Sequence, residues 1–186
     1  MDKQIKFNQI AFSLLICLLF GSCGESELAK TEVYNQKANE LIFQTLEDNK
    51  CNCLLEIPKE SMIEISNLEN PSYDVRTILA KQLNLKSNSE LDTLVNASKN
   101  FQLDLERVKK RNVKIITEKN LWKIKKAKYN DIVKLCPKGI ICVQKPIFNK
   151  NYKKAVFDYN YAFTCVRVLP HPIYKLENGK WNRIEK

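Results

Sequence analysis

The chain has 186 residues, 44% of them hydrophobic and 28% charged, with 31 basic against 21 acidic residues and a net charge of +10. This composition excludes disordered and fibrous chains, and the length suits one domain whose core needs no metal. With only four glycines, at 21, 24, 139 and 179, and one histidine, His171, the chain holds no phosphate-cradling loop, no Gly-x-Ser-x-Gly elbow and no His-x-x-x-His zinc motif.

At the amino terminus, Lys3 and Lys6 precede an apolar run from Ile10 to Phe20 and then the small residues Gly21 and Ser22. A helix over that run rises about 16 Å, roughly half the hydrocarbon core of a bilayer, so residues 1–22 read as a cleavable export signal and not as a spanning helix. The arrangement Phe20-Gly21-Ser22-Cys23 resembles the lipobox of bacterial lipoproteins, with phenylalanine in place of the usual leucine. The resemblance implies cleavage before Cys23, acylation of that cysteine, a lipidated tether over 23–28 and a single domain over 29–186. Two or more acyl chains hold a protein on a bilayer almost permanently. Gly24 follows the cysteine where an aspartate would signal inner-membrane retention, so the same resemblance implies the outer membrane. Glu25 and Glu27 are similar to the acidic surface-export signals of Bacteroidota lipoproteins, and the periplasmic or surface side stays open.

The mature chain opens with helical periodicity over 29–48, where Tyr34, Ala38, Leu41, Ile42, Thr45 and Leu46 share one face. From Lys50 to Ser66 short apolar runs separated by Pro58 predict extended structure. Asn70-Pro71 then reads as a cap and first helical position ahead of Val75, Ile78, Leu79 and Leu83. Ser87 with Glu90 forms a capping box for a third helix reaching about Lys99, and Leu105 and Val108 mark a short fourth.

After Asn112 the period becomes two. Val113, Ile115 and Thr117 alternate with Lys114, and Trp122 and Ile124 alternate with Lys123 and Lys125, as in half-buried strands. Alternate residues from Ala155 to Cys165 are apolar or aromatic and predict one dry strand face, with Asn160 as a point where a turn would divide it. Asn178-Gly179 is a two-residue hairpin signal that places Leu176 opposite Trp181, Tyr174 opposite Arg183 and Glu177 opposite Lys180. The fold class expected is α+β, with amino-terminal helices packed on a carboxy-terminal antiparallel sheet.

Charge is uneven along the chain. Between Arg107 and Lys128 there are ten basic residues and one acid, Glu118. Lys114, Lys123 and Lys125 are the candidate face for an anionic partner, because each alternates with an apolar residue. A lysine near an anionic bilayer gains about 1 kcal/mol, so anionic lipid or lipopolysaccharide is the candidate ligand for that face beside the membrane held by the lipid anchor. Nucleic acid is not expected, since no aromatic-interleaved motif or recognition helix is present.

Cys51, Cys53, Cys136, Cys142 and Cys165 remain after the signal and the anchor cysteine are set aside, and outside the cytoplasm they can oxidise. Cys136 and Cys142 bracket Pro137-Lys138-Gly139, a turn-like stretch that favours a local disulfide between them. Cys51 and Cys53 are two apart in an extended segment and therefore expected on one side, from which either reaches Cys165. No metal, no cofactor and no catalytic residue is assigned. The alternative enzyme reading uses Cys165 as nucleophile with His171 as base; a further alternative is an envelope immunity or inhibitor protein.

The carboxy-terminal elements Lys145-Pro146-Ile147-Phe148-Asn149 and Asn178-Gly179-Lys180-Trp181 resemble a pattern at the end of many uncharacterised lipoproteins of Bacteroidota. The likeness implies a strand lead-in and a closing hairpin, and no activity. Together these readings describe a lipid-anchored envelope protein, a binding or structural module with a basic face.

Overall fold

The computed structural model describes residues 27–69, 71–72, 74–117, 119–120, 134–161 and 171–184. The first element is α1 (Glu27–Asp48), a helix of 22 residues. Its expected inner face is buried throughout, from Tyr34 to Leu46, and the buried arc also takes in Asn39 and Phe43. The arc is wide because α1 packs against strands of two sheets, so more than one stripe of the helix is out of water.

A short strand β1 (Cys53–Leu55) follows, and then α2 (Met62–Glu69). The extended structure expected up to Ser66 therefore ends early. Ser61 and Glu64 form a reciprocal cap, with Ser61 N–H donating to Glu64 Oε2 at 2.7 Å and Glu64 N–H donating to Ser61 Oγ at 3.2 Å. Two donors at the helix start are thereby satisfied, and this local gain outweighs the strand propensity of Ile63 and Ile65. Helix α3 (Val75–Leu83) begins not at Asn70-Pro71 but after Asp74, whose carboxylate accepts from Thr77 N–H. Helix α4 (Asn88–Lys99) starts at the Ser87 cap as the sequence predicts, and α5 (Leu105–Lys110) is capped by Asp104.

The remaining strands are β2 (Lys114–Ile116), β3 (Ile140–Val143), β4 (Ile147–Phe148), β5 (Lys154–Val156), β6 (Tyr159–Tyr161), β7 (Ile173–Glu177) and β8 (Lys180–Ile184). Together with β1 they form, among the described residues, two four-stranded sheets. One has the order β4-β5-β7-β8 and is antiparallel throughout, the carboxy-terminal sheet expected. The other, β2-β1-β3-β6, runs β1 parallel to both β2 and β3 and only β6 antiparallel. Parallel neighbours need long connections, and α2–α5 supply the one from β1 to β2. The fold is α+β, with an added mixed sheet that local periodicity does not reveal.

The run from Ala155 onward is shared between sheets. Val156 ends β5 in the antiparallel sheet, Phe157 and Asp158 cross over, and Tyr159 begins β6 in the mixed sheet. The division falls at Asp158 and not at Asn160. The hairpin β7–β8 has the register read from Asn178-Gly179: Leu176 faces Trp181, Tyr174 faces Arg183 and Glu177 faces Lys180. Both turn residues have positive φ, 51° at Asn178 and 76° at Gly179, the backbone of a type I′ turn.

Side chains on the antiparallel sheet divide between two cores. Phe148, Ala155, Tyr174 and Trp181 face α1, while Ile147, Val156 and Ile173 face α2, α3 and α4 through Met62, Leu79 and Leu91. On the mixed sheet, Leu54, Ile141 and Val143 join α1, and Cys53, Leu55, Ile116 and Ile140 form a third cluster on the far side. Helix α1 is thus the common support of both sheets. Tyr34 anchors it by donating to Pro146 O at 2.8 Å, between the sheets.

Candidate functional site

The cysteines depart from the expected pairing. Cys53 is bonded to Cys136, with Cα atoms 5.9 Å apart, so the local Cys136–Cys142 bridge does not form. The reason is the parallel register: Cys53 lies opposite Ile140, and Cys136 stands just before the turn that leads into β3, beside β1. Cys142 lies within the extended β3, facing Asn160. It too is disulfide-bonded. Cys51 is a free thiol. It does not share a side with Cys53: it packs with Leu46 and Leu54 on the α1 side, whereas Cys53 faces Leu55 and Ile116. The strand begins only at Cys53, and positive φ at Lys50 (54°) turns the chain out of the helix just before Cys51. Cys23 and Cys165 lie outside the described residues.

Of the proposed basic face, Lys114 is exposed on β2 and donates from Nζ to Leu135 O at 3.0 Å; Lys123 and Lys125 lie outside the described residues. A second group of cations gathers where the end of α1, the end of α5 and the turn before β3 meet. Lys50, Arg111 and Lys138 line a pocket of about 760 Å³ there, together with Glu47, Cys51 and Asn52. Arg111 is fixed by Glu47 Oε1 at 2.5 Å, by the Phe43 ring at 5.5 Å and by Phe43 O at 3.5 Å. Among the described residues no ion pair engages Lys50 or Lys138. Burial pushes the Cys51 thiol up, which keeps it protonated and slow as a nucleophile.

His171 lies at the seam between the sheets, fully buried, with Nδ1 in a short contact with Asp158 Oδ2. Gln82 Nε2 donates to His171 O at 2.9 Å, Gln144 N–H donates to Asp158 O at 3.0 Å, and Phe157 N–H donates to Pro172 O at 3.2 Å. These bonds tie together the three places where the chain changes sheet or enters one. Among the described residues His171 Nε2, Gln82 Oε1 and Gln144 Oε1 are buried without a hydrogen-bond partner. Burial also raises Tyr174, with Tyr159 adding to the shift.

A carboxylate behind an imidazole fixes its orientation and tautomer, as a general base requires. A base also needs contact with a substrate, and the His171 side chain is 0% exposed. The pair therefore acts first as an internal link between sheets. Asp158 escapes sequence reasoning because the alternation puts it on the polar side of the strand, where an acid reads as solvent-exposed, whereas the change of sheet buries it.

Lys145 is a further buried charge, 4% exposed, whose ammonium contacts Lys59 O. Burial lowers its pKa, and the nearby Glu64 and Glu60 oppose that shift. Among the described residues no group of three or more His, Cys, Asp or Glu side chains is placed to hold a metal, and no helix is long and apolar enough to cross a membrane. Compared with protein families, with curated proteins and with solved structures, the chain matches none.

Proposed function

We propose that the chain is an exported protein, anchored to the bacterial outer membrane through lipid on Cys23, whose domain is a non-catalytic binding or structural module with a cationic face. The observation that carries this reading is the buried Cys53–Cys136 disulfide. Bonds of this kind persist in oxidising compartments outside the cytoplasm, which agrees with a leader of the form Lys3, Lys6, an apolar run and then Cys23. Lys114 and the cations of the α1–α5 pocket supply positive field for anionic lipid or lipopolysaccharide.

Membrane fractionation tests the anchor. Cys23→Ala shifts the protein from the membrane to the soluble fraction, and an undiminished membrane fraction in that variant contradicts it. Asp158 behind His171 favours one second reading, an envelope enzyme using Cys165 with His171. That reading requires a free Cys165 thiol in the native protein, so peptide mapping after alkylation without reductant decides it: an oxidised Cys165 leaves only the module.

A further inference from the structure

We propose that the pocket between α1, α5 and the β3 turn is a binding site for a phosphate monoester carried on a hydroxylated skeleton, the chemistry of a sugar phosphate. The inference shares with the preceding section only the cationic character of the domain; it does not depend on the anchor. The volume of about 760 Å³ is within the range of small-molecule sites. Three cations, Lys50, Arg111 and Lys138, line it against one acid, Glu47, and Glu47 is already committed to Arg111 at 2.5 Å. An anion entering there meets a net positive wall.

Each cation stands on fixed backbone. Arg111 is held over Phe43 and by Glu47. Lys50 sits in the turn closed by Lys50 N–H to Glu47 O at 3.0 Å and Cys51 N–H to Leu46 O at 3.1 Å. Those bonds also occupy carbonyls at the α1 terminus that would otherwise face the anion with their negative ends. Lys138 lies in the turn closed by Gly139 N–H to Cys136 O at 3.0 Å, and the Cys53–Cys136 disulfide pins that turn. The backbone carrying the three cations needs no ordering on binding, and neither does the Arg111 side chain, which favours affinity.

The skeleton is read from the pocket floor. Asn52 lines the site beside the cations. Its amide offers a hydrogen bond to a hydroxyl beside the phosphate, so a hydroxylated ester uses the site more fully than bare phosphate does. Two sources carry this chemistry, a soluble sugar phosphate and the phosphorylated sugar of a glycolipid headgroup.

The free thiol gives a direct readout, because Cys51 lines the same pocket. The rate of Cys51 alkylation by N-ethylmaleimide is followed by intact mass on the mature, oxidised protein, with calorimetric titration as a second measurement. Saturating glucose 6-phosphate is expected to slow labelling at least fivefold. Glucose is expected to have no effect, and inorganic phosphate to bind at least tenfold more weakly. Protection by vesicles bearing a phosphorylated glycolipid, without protection by the soluble ester, assigns the headgroup as source.

The variant is Lys50→Asn with Lys138→Gln, since asparagine accepts the left-handed backbone at position 50 (φ 54°). It should keep the unfolding midpoint and lose at least tenfold in affinity. No protection by any phosphorylated probe, equal protection in the double variant, or equal binding of bare phosphate and the sugar ester overturns the proposal. Membrane fractionation of the Cys23→Ala variant is independent of all three.

Discussion

Gln44 on α1 holds the backbone of Trp181 with both ends of its amide: Nε2 donates to Trp181 O at 2.6 Å, and Trp181 N–H donates to Oε1 at 2.8 Å, while Nε2 also donates to Asp48 Oδ2 at 3.2 Å. β8 is the edge of the antiparallel sheet, so a side chain takes the place of a neighbouring strand where the edge would otherwise be open. The contact fixes α1 against the sheet and removes a template for pairing with a second chain.

Gln44→Ala is therefore expected to lower stability by about 1–3 kcal/mol, the cost of leaving the two edge groups poorly satisfied. Urea unfolding followed by circular dichroism measures the loss. An unchanged midpoint would mean that water replaces the amide without penalty.

The Cys53–Cys136 bond spans 83 residues. Chain-entropy reasoning gives it a stabilisation of about 4.5 kcal/mol at room temperature. Cys53→Ala with Cys136→Ala should lower the unfolding free energy by about that amount, measured under non-reducing conditions so that the Cys142 bond is kept. The native protein should also expose Cys51 as a free thiol on denaturation without reductant.

At the seam, His171→Phe leaves Asp158 as a buried carboxylate without its partner. Breaking a buried pair in this way costs about 3–5 kcal/mol, so the variant should unfold well before the parent in urea. Asp158→Asn keeps a hydrogen-bonding group and should lose less. Equal losses from both would show that shape and not polarity holds the seam.

The Ser61 cap predicts an acid response. Glu64 is held below the usual carboxylate range, first by the Ser61 N–H and then by the Ser61 side chain, with Lys99 and Lys145 also acting. A carboxyl whose folded pKa is depressed adds stability above its unfolded pKa, roughly pH 4, and loses it as the pH falls through the lower folded value. Glu64 is half exposed, so the effect is small. Glu64→Gln should flatten that segment of the stability profile below pH 4, and Ser61→Ala should cost about 1 kcal/mol.

Elements written in local signals were legible. The apolar face of α1, the Ser87–Glu90 box and the Asn178-Gly179 turn each act over a few residues, and each appears where its chemistry places it. Relations set by distant chain segments were not. The parallel run of β2-β1-β3 and the Cys53–Cys136 pair depend on the register of β1 against β3, which no nearby residue encodes. The crossing at Asp158 was hidden because Phe157 and Tyr159 keep the alternation on both sides of it. Ser61 and Glu64 carried a readable cap signal that the short apolar runs around them obscured. Of the candidate site, the basic run that holds Arg111 and Lys114 was visible as charge; its meeting with Lys50 and Lys138 requires the fold.

The central proposal, an exported protein held to the envelope by lipid, is tested most directly by intact mass of the native protein from cell membranes, with and without reductant. The account predicts a chain beginning at Cys23, heavier by its acyl groups, that gains mass on reduction as its disulfides open. A chain still carrying residues 1–22, with no acyl mass and no change on reduction, contradicts it.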